Sequence, residues 1–147
     1  NAVVRNTQEY DTPDDYNLVS ELDSVLSETH VLVLAVPLNN TTHHLIDFTV
    51  LTQLPNNAIL VNVARGDVVN EHDLIQVLKN DSIGGAGLDV FSEEPLPKLS
   101  PLWEFDNVCI SPHIGGKTDR YLDRFMRLFL ENLDRWRTNE ELTNQII

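Results

Sequence analysis

Apolar positions along the chain follow two rhythms. Short unbroken runs occur at 30–38 ("HVLVLAVPL"), 58–63 ("AILVNV"), 86–91 ("AGLDVF") and 107–111 ("NVCIS"). A Val-rich run without alternation, such as 31–36 before Pro37, predicts a parallel strand covered on both faces. Between the runs the spacing turns helical. Leu18, Val19, Leu22, Val25 and Leu26 predict a short amphipathic helix over 20–28, and 47–54 a second one, stopped by "LPNNA". Asn70 followed by Asp73 reads as a helix start, with Leu74, Val77 and Leu78 turned inward and "KNDSIGGAG" as the end. From Thr118 a single stripe, Tyr121, Leu122, Phe125, Leu128, Phe129, Leu133 and Trp136, predicts a helix of about five turns. Arg120, Arg124, Arg127 and Arg135 line its other side, with Asp119, Asp123, Glu131 and Asp134 interspersed, so that side reads as a solvated face and not a basic groove. "EYDTPDDYN", "NNTTHHL" and "SEEPLPKLSPLWEFD" are loops. Strands alternating with helices indicate an α/β fold with a mostly parallel sheet. Residues 2–5 read as the tail of a strand whose first half is absent. With no Met at the start, the chain is expected to be a fragment.

Bulk properties narrow the function. The chain has 147 residues, 41% of them hydrophobic, enough for a real core. Its formal charge is −13, from 23 acids against 10 bases. That argues against nucleic acid, which needs clustered cations, and against an anionic membrane surface. Cys109, the single cysteine, has no internal partner and in "NVCIS" reads as a packed core residue, not a nucleophile. The longest apolar stretch is the octet "VLVLAVPL", so neither a signal peptide nor a membrane span is indicated and a reducing cytoplasm is expected.

In a parallel α/β sheet, ligands bind beyond the carboxyl ends of the strands. After 31–36 comes Pro37, with a loop to Thr41 and Thr42. After 58–63 come Arg65 and Gly66. Strand 86–91 carries Asp89 near its end and is followed by Glu93 and Glu94. After 107–111 come Pro112, His113 and the Gly115–Gly116 turn. One rim thus gathers a cation, carboxylates and a titratable base. Each also has a plainer reading: Arg65 as a structural ion pair, Glu94 as a solvated turn acid, His113 as a satisfied core histidine, Asp89 as a helix cap. Their joint placement on one sheet edge favours a single site. His30, His43, His44 and His72 lack metal-ligand spacing, so no metal is expected. Glu93 and Glu94 are sequence neighbours and do not suit a glycosidase pair. No G-x-S-x-G, P-loop or G-x-G-x-x-G occurs.

Three ordered segments, "VNVARGDVVNEHDLIQVL", "GGAGLDVFSEEPLPKLSPLW" and "NVCISPHIGG", preceded by "LDSVLSETHVLVLAVPLNNTTHHLI", strongly resemble the D-isomer-specific 2-hydroxyacid dehydrogenases. The likeness runs from about residue 16 to 137. It implies a Rossmann-type, doubly wound parallel sheet lacking its N-terminal part, with 1–116 as the back half of an NAD(P)-binding domain. It further implies that 117–147 is a long C-terminal helix and tail crossing to a substrate domain. The visible chain alone is then expected to be inactive and the complete protein active.

By resemblance, Arg65, Glu94 and His113 are the catalytic trio of an oxidoreductase interconverting a 2-keto acid and a D-2-hydroxy acid. A guanidinium grips a carboxylate and the neighbouring carbonyl by directed hydrogen bonds. An imidazolium can give its proton to the carbonyl oxygen as hydride arrives, and a carboxylate holds that ring in orientation. The resemblance also implies cofactor contacts at Val36, Pro37, Val63, Ala64 and Gly115, with Asp89 near the nicotinamide amide, and a homodimer. Two departures stand out. "GGKTD" puts Lys117 where the family usually has Ala, after Gly116 where Ser or Ala is common. Arg5 and Asn6 occupy the region where many NAD-using members carry an Asp, and an Arg there accommodates a 2′-phosphate, which favours NADP over NAD. The alternative is a non-catalytic, dinucleotide-sensing, corepressor-like protein of the same fold.

Overall fold

The structure, a computed structural model, describes residues 2–3, 18–19 and 21–144. Contacts divide the chain into two units, Asn1–Gly115 and Gly116–Ile147.

In the first unit, β1 (Ala2–Val3) pairs in parallel with β2 (Leu18–Val19). The main sheet has four parallel strands in sequential order: β3 (Val31–Leu34), β4 (Ile59–Asn62), β5 (Gly85–Leu88) and β6 (Val108–Ile110). Two helices lie between them, the single turn α1 (Phe48–Leu51) and α2 (Glu71–Lys79). Each starts on a side-chain cap. Asp47 accepts from the Val50 amide and Asn70 from the Asp73 amide, satisfying donors that have no partner inside the helix. Leu74, Val77 and Leu78 are buried, as their spacing predicts. The loop "EYDTPDDYN" and Arg5 lie outside the described residues.

Register explains where the core sits. Leu32, Leu60, Ala86 and Val108 stand side by side, as do Leu34, Asn62, Leu88 and Ile110. Together with Ile46, Leu51, Leu54, Leu74, Leu78 and Leu102 they form one core on one face of the sheet. Alternation puts Val31, Val33, Ile59 and Cys109 on the other face, where Val33 is 57% exposed. The expectation of cover on both faces of 31–36 is therefore corrected: among the described residues, no layer packs on that second face. Cys109 is corrected with it. It is exposed, not packed, because its cross-strand neighbour on that face is Gly87, which has no side chain to offer.

The helix expected over 20–28 is also corrected. Leu18 and Val19 belong to β2, and the rest forms two 3₁₀ turns, Leu22–Ser24 and Leu26–Glu28, broken at Val25. So short a segment cannot nucleate a helix by itself, and only Leu26 is buried to support one. The Ser24 and Thr29 hydroxyls donate to the carbonyls of Glu21 and Val25, a local alternative to the helical ladder.

In the second unit, α3 (Tyr121–Arg137) follows the predicted stripe, yet Tyr121, Leu122, Phe125, Phe129 and Trp136 are exposed. Its charged side carries ion pairs, Arg135 with Glu131 at 3.4 Å and with Glu140 at 3.7 Å, in keeping with a solvated face. No described helix is long and apolar enough to cross a membrane.

The one-sided core predicts a graded response. Leu74 is 1% exposed, so Leu74→Ala is expected to lower unfolding free energy by roughly 2–5 kcal/mol, read from urea denaturation. A loss below 1 kcal/mol would contradict the packing described.

Candidate active site at the carboxyl edge of the sheet

The rim begins at the end of β4. Asn62 is 1% exposed, and both ends of its amide are bonded: Oδ1 accepts from the Ala64 amide at 3.0 Å and Nδ2 donates to the Arg65 carbonyl at 3.0 Å. This staple folds the backbone over at once and leaves Arg65 exposed at the edge. The guanidinium donates to the Ala64 carbonyl at 2.6 Å and, among the described residues, forms no ion pair. Gly66 follows because nothing larger fits: a Cβ there would stand 1.9 Å from the Phe91 carbonyl carbon.

Beyond β5, the Asp89 amide donates to the Asn62 carbonyl at 3.0 Å, which joins the two strand ends. The Asp89 carboxylate is 6% exposed and faces the turn after β6. It accepts a very short hydrogen bond from the Ser111 hydroxyl, one from the Ile114 amide at 2.9 Å and one from the Gly115 amide at 2.7 Å. The Ser111 bond is the main reason its pKa lies below the ordinary carboxylate value; burial opposes this, and the two amides and the His113 charge reinforce it. The Asp89 carbonyl also accepts from the His113 amide at 2.8 Å. His113 sits at φ 54°, a left-handed conformation uncommon for a side chain of its size. The bonds to Asp89 on both sides of it hold it there.

Glu94 comes from the loop after β5. Its Oε1 accepts from the Phe91 amide at 3.0 Å, and its Oε2 lies 2.8 Å from His113 Nδ1. The His113 bond is the leading cause of a lowered Glu94 pKa, followed by the Phe91 amide; burial opposes them, and the charges of His113 and Arg65 add to the lowering. An ionised carboxylate only accepts, so Nδ1 carries the proton towards it and Nε2 is left to exchange a proton with a ligand.

The structure thus joins Glu94 directly to His113 and sets Arg65 close enough for its charge to act on Glu94. Of the other expected residues, Val36, Pro37, Val63 and Ala64 line one open cleft of about 660 Å³ together with Ala35, Leu38 and Arg65. Gly115 serves through its amide, and a Cβ there would crowd Asp89 Oδ2 to 2.8 Å. Gly116 has open space where a Cβ would stand. Sequence reasoning passed over Asn62 and Ser111. The only signal for Asn62 was a lone amide inside an apolar strand; Ser111 closed its own strand with nothing to mark it. No group of three or more His, Cys, Asp or Glu among the described residues is placed to hold a metal ion.

Residues 2–115 match the family model for the D-isomer specific 2-hydroxyacid dehydrogenase, NAD binding domain. The chain belongs to this family. It is 41% identical over 114 residues to a glyoxylate reductase of Thermofilum pendens, a span that covers 78% of this chain and 34% of that protein. A D-isomer specific 2-hydroxyacid dehydrogenase from Xanthobacter autotrophicus Py2, solved in complex with NADPH and MES, superposes with a TM-score of 0.78 at 37% identity, over 86% of this chain and 51% of that one. A probable 2-hydroxyacid dehydrogenase from Rhizobium etli, solved with NADP, HEPES and L(+)-tartaric acid, gives 0.81 at 30% identity, over 93% and 45%. The chain spans about a third to a half of the length of the curated relatives it matches.

The residues around the cleft suit part of the family's dinucleotide: Ala35, Pro37 and Ala64 are small or flat, the lining side chains are apolar apart from Arg65, and the lining surface is partly polar.

Asp89 yields a test with a definite sign. Its folded pKa is depressed below 3.8, so its contribution to stability is complete above that pH and is lost as the pH falls through the lower, folded value. Asp89→Asn is expected to cost roughly 1.5–3 kcal/mol at neutral pH. The gap in Tm between parent and variant should stay constant down to about pH 4 and close below it. A gap that persists unchanged at pH 2 would show that the carboxylate charge is not what holds the turn.

Proposed function

We propose that the complete protein interconverts a 2-keto acid and a D-2-hydroxy acid with a nicotinamide dinucleotide. The observation that carries this reading is the 2.8 Å contact of His113 Nδ1 with Glu94 Oε2 beside Arg65, at the strand ends where α/β proteins bind ligands. The family membership and the glyoxylate reductase relative support it.

Each residue has a role its chemistry suits. Arg65 offers a fork of N–H donors to the substrate carboxylate and the adjacent carbonyl oxygen. His113 holds a proton at Nε2 and delivers it to that oxygen during reduction, or removes it during oxidation. Glu94, kept ionised, fixes the ring through Nδ1 and stabilises the imidazolium. Ala35–Leu38 and Val63–Ala64 would hold the nicotinamide end and keep water off that face of the cleft, where a dinucleotide, when bound, would supply or take the hydride.

The finer readings are proposals of the same kind. NADP is taken as the preferred form because Arg5 suits a 2′-phosphate; the NADPH and NADP complexes of the two similar structures are in line with this. A homodimer is proposed from the family resemblance.

In the complete protein, His113→Gln is expected to lower kcat by roughly 10²–10⁴, and Arg65→Lys to impair keto-acid turnover because Lys lacks the planar fork. The assay is cofactor oxidation at 340 nm with glyoxylate, hydroxypyruvate and pyruvate. Near-normal rates in both variants would refute the roles, and no turnover by the parent with any acid would favour the dinucleotide-sensing alternative. The same panel run with both cofactors should give the higher kcat/KM with NADPH; equal values would overturn the preference.

A further inference from the structure

Glu71 has no part in the catalytic assignment, yet its side chain links two segments that carry it. It opens α2, whose first turn is already capped by Asn70. The Glu71 carboxylate instead reaches across to accept from the Ser92 amide at 3.2 Å, from a residue 21 positions along the chain. Beside that bond, bare Gly66 lies against the Phe91 carbonyl and the Ser92 nitrogen. The segment that follows Arg65 therefore grips the Phe91–Ser92 backbone twice, by close approach at Gly66 and by a hydrogen bond at Glu71. From there the contacts run on without a gap. The Phe91 amide donates to Glu94 Oε1 at 3.0 Å, and Glu94 Oε2 meets His113 Nδ1 at 2.8 Å.

We propose that Glu71 is a positioning residue: by anchoring the Ser92 amide, its carboxylate sets where Glu94, and through it His113, stands relative to Arg65. The loop after β5 is otherwise exposed from Ser92 to Pro95. Without the anchor it keeps its two fixed ends but loses the bond that fixes the start of its exposed span. The functional consequence rests on the keto-acid reading above; the geometric one does not.

The test compares Glu71→Ala with Glu71→Gln in the complete protein. Gln keeps an oxygen that can accept from Ser92, and Ala does not. Glu71→Ala is expected to lower kcat for glyoxylate with NADPH by about ten- to hundredfold, the size of a small misplacement of catalytic groups, with the Kd for NADPH unchanged. In ¹⁵N-edited NMR of the cofactor-free protein, the His113 Nδ1–H signal, protected while Glu94 holds it, should exchange faster. Glu71→Gln should restore both readouts. Equal behaviour of Ala and Gln, a parallel loss of NADPH binding, or failure of Glu71→Ala to fold would each overturn the proposal, by assigning Glu71 to charge, cofactor binding or the fold. If the parent turns over none of glyoxylate, hydroxypyruvate and pyruvate, the functional reading fails on that result alone, and the His113 signal still decides whether Glu71 sets the loop.

Discussion

The site depends on one buried carboxylate that stays ionised. Asp89 stands at the end of β5 with almost no exposure, where an unpaired charge would be costly. Three donors from the turn after β6, the Ser111 hydroxyl and the Ile114 and Gly115 amides, offset that cost. The same three bonds determine the shape of the turn. A residue as large as His113 does not hold φ near +54° unaided, and the donors on both sides of it leave little alternative. The stability of the carboxylate and the direction of the imidazole are therefore one fact seen from two ends. Neither Asp89 nor Ser111 needs to touch a ligand for this to matter, since both act on where the His113 ring stands.

The other half of the rim is built by close approach. Asn62 satisfies its own buried amide within a three-residue turn, and its carbonyl accepts from the Asp89 amide. Gly66 then lets the chain pass directly against Phe91, where any side chain would collide with backbone. Arg65, Glu94 and His113 arise from three separate strand ends. They are nonetheless referred to a common frame through the β4–β5 junction and the Phe91–Ser92 backbone. That frame consists of backbone groups and the buried side chains of Asn62 and Asp89, each hydrogen-bonded.

Local signals were readable wherever the deciding interaction was local. The Asn70 cap and the inward Leu74, Val77 and Leu78 follow from spacing alone, and the structure has them in place. The strands followed from their apolar runs, and Arg65, Glu94 and His113 drew attention by standing just past strand ends. Readings failed where the outcome depended on what lies across the sheet. Val33 and Cys109 carry the same apolar pattern whether or not a layer covers them, so the run could not reveal that no layer of described residues packs on them. Leu18 to Leu26 has helical spacing but too few residues to hold a helix, and a parallel partner claimed its first two positions. Ser111 and Glu71 were silent for a related reason: each acts on a backbone or side-chain atom more than twenty residues away, and no periodicity encodes that.

Charge is the remaining tension, since a chain of net charge −13 is proposed to bind an anionic acid. The resolution lies in which charges are already committed. Asp89 is surrounded by donors, and Glu94 accepts from Phe91 and His113, so these two carboxylates are already engaged by N–H and O–H groups. Arg65, by contrast, gives one bond to a neutral carbonyl and is otherwise exposed to the cleft. Acids elsewhere on the surface are screened over about 8 Å at physiological salt, whereas a carboxylate in contact with a guanidinium is not. At contact range the cleft therefore presents a cation with unused donors, and elsewhere on the rim stands an imidazole whose Nδ1 is held by a satisfied carboxylate. The global charge slows the approach of an anion without altering what it meets on arrival, so the proposed preference for an acid rests on Arg65, a rim cation whose donors the fold leaves largely unfilled.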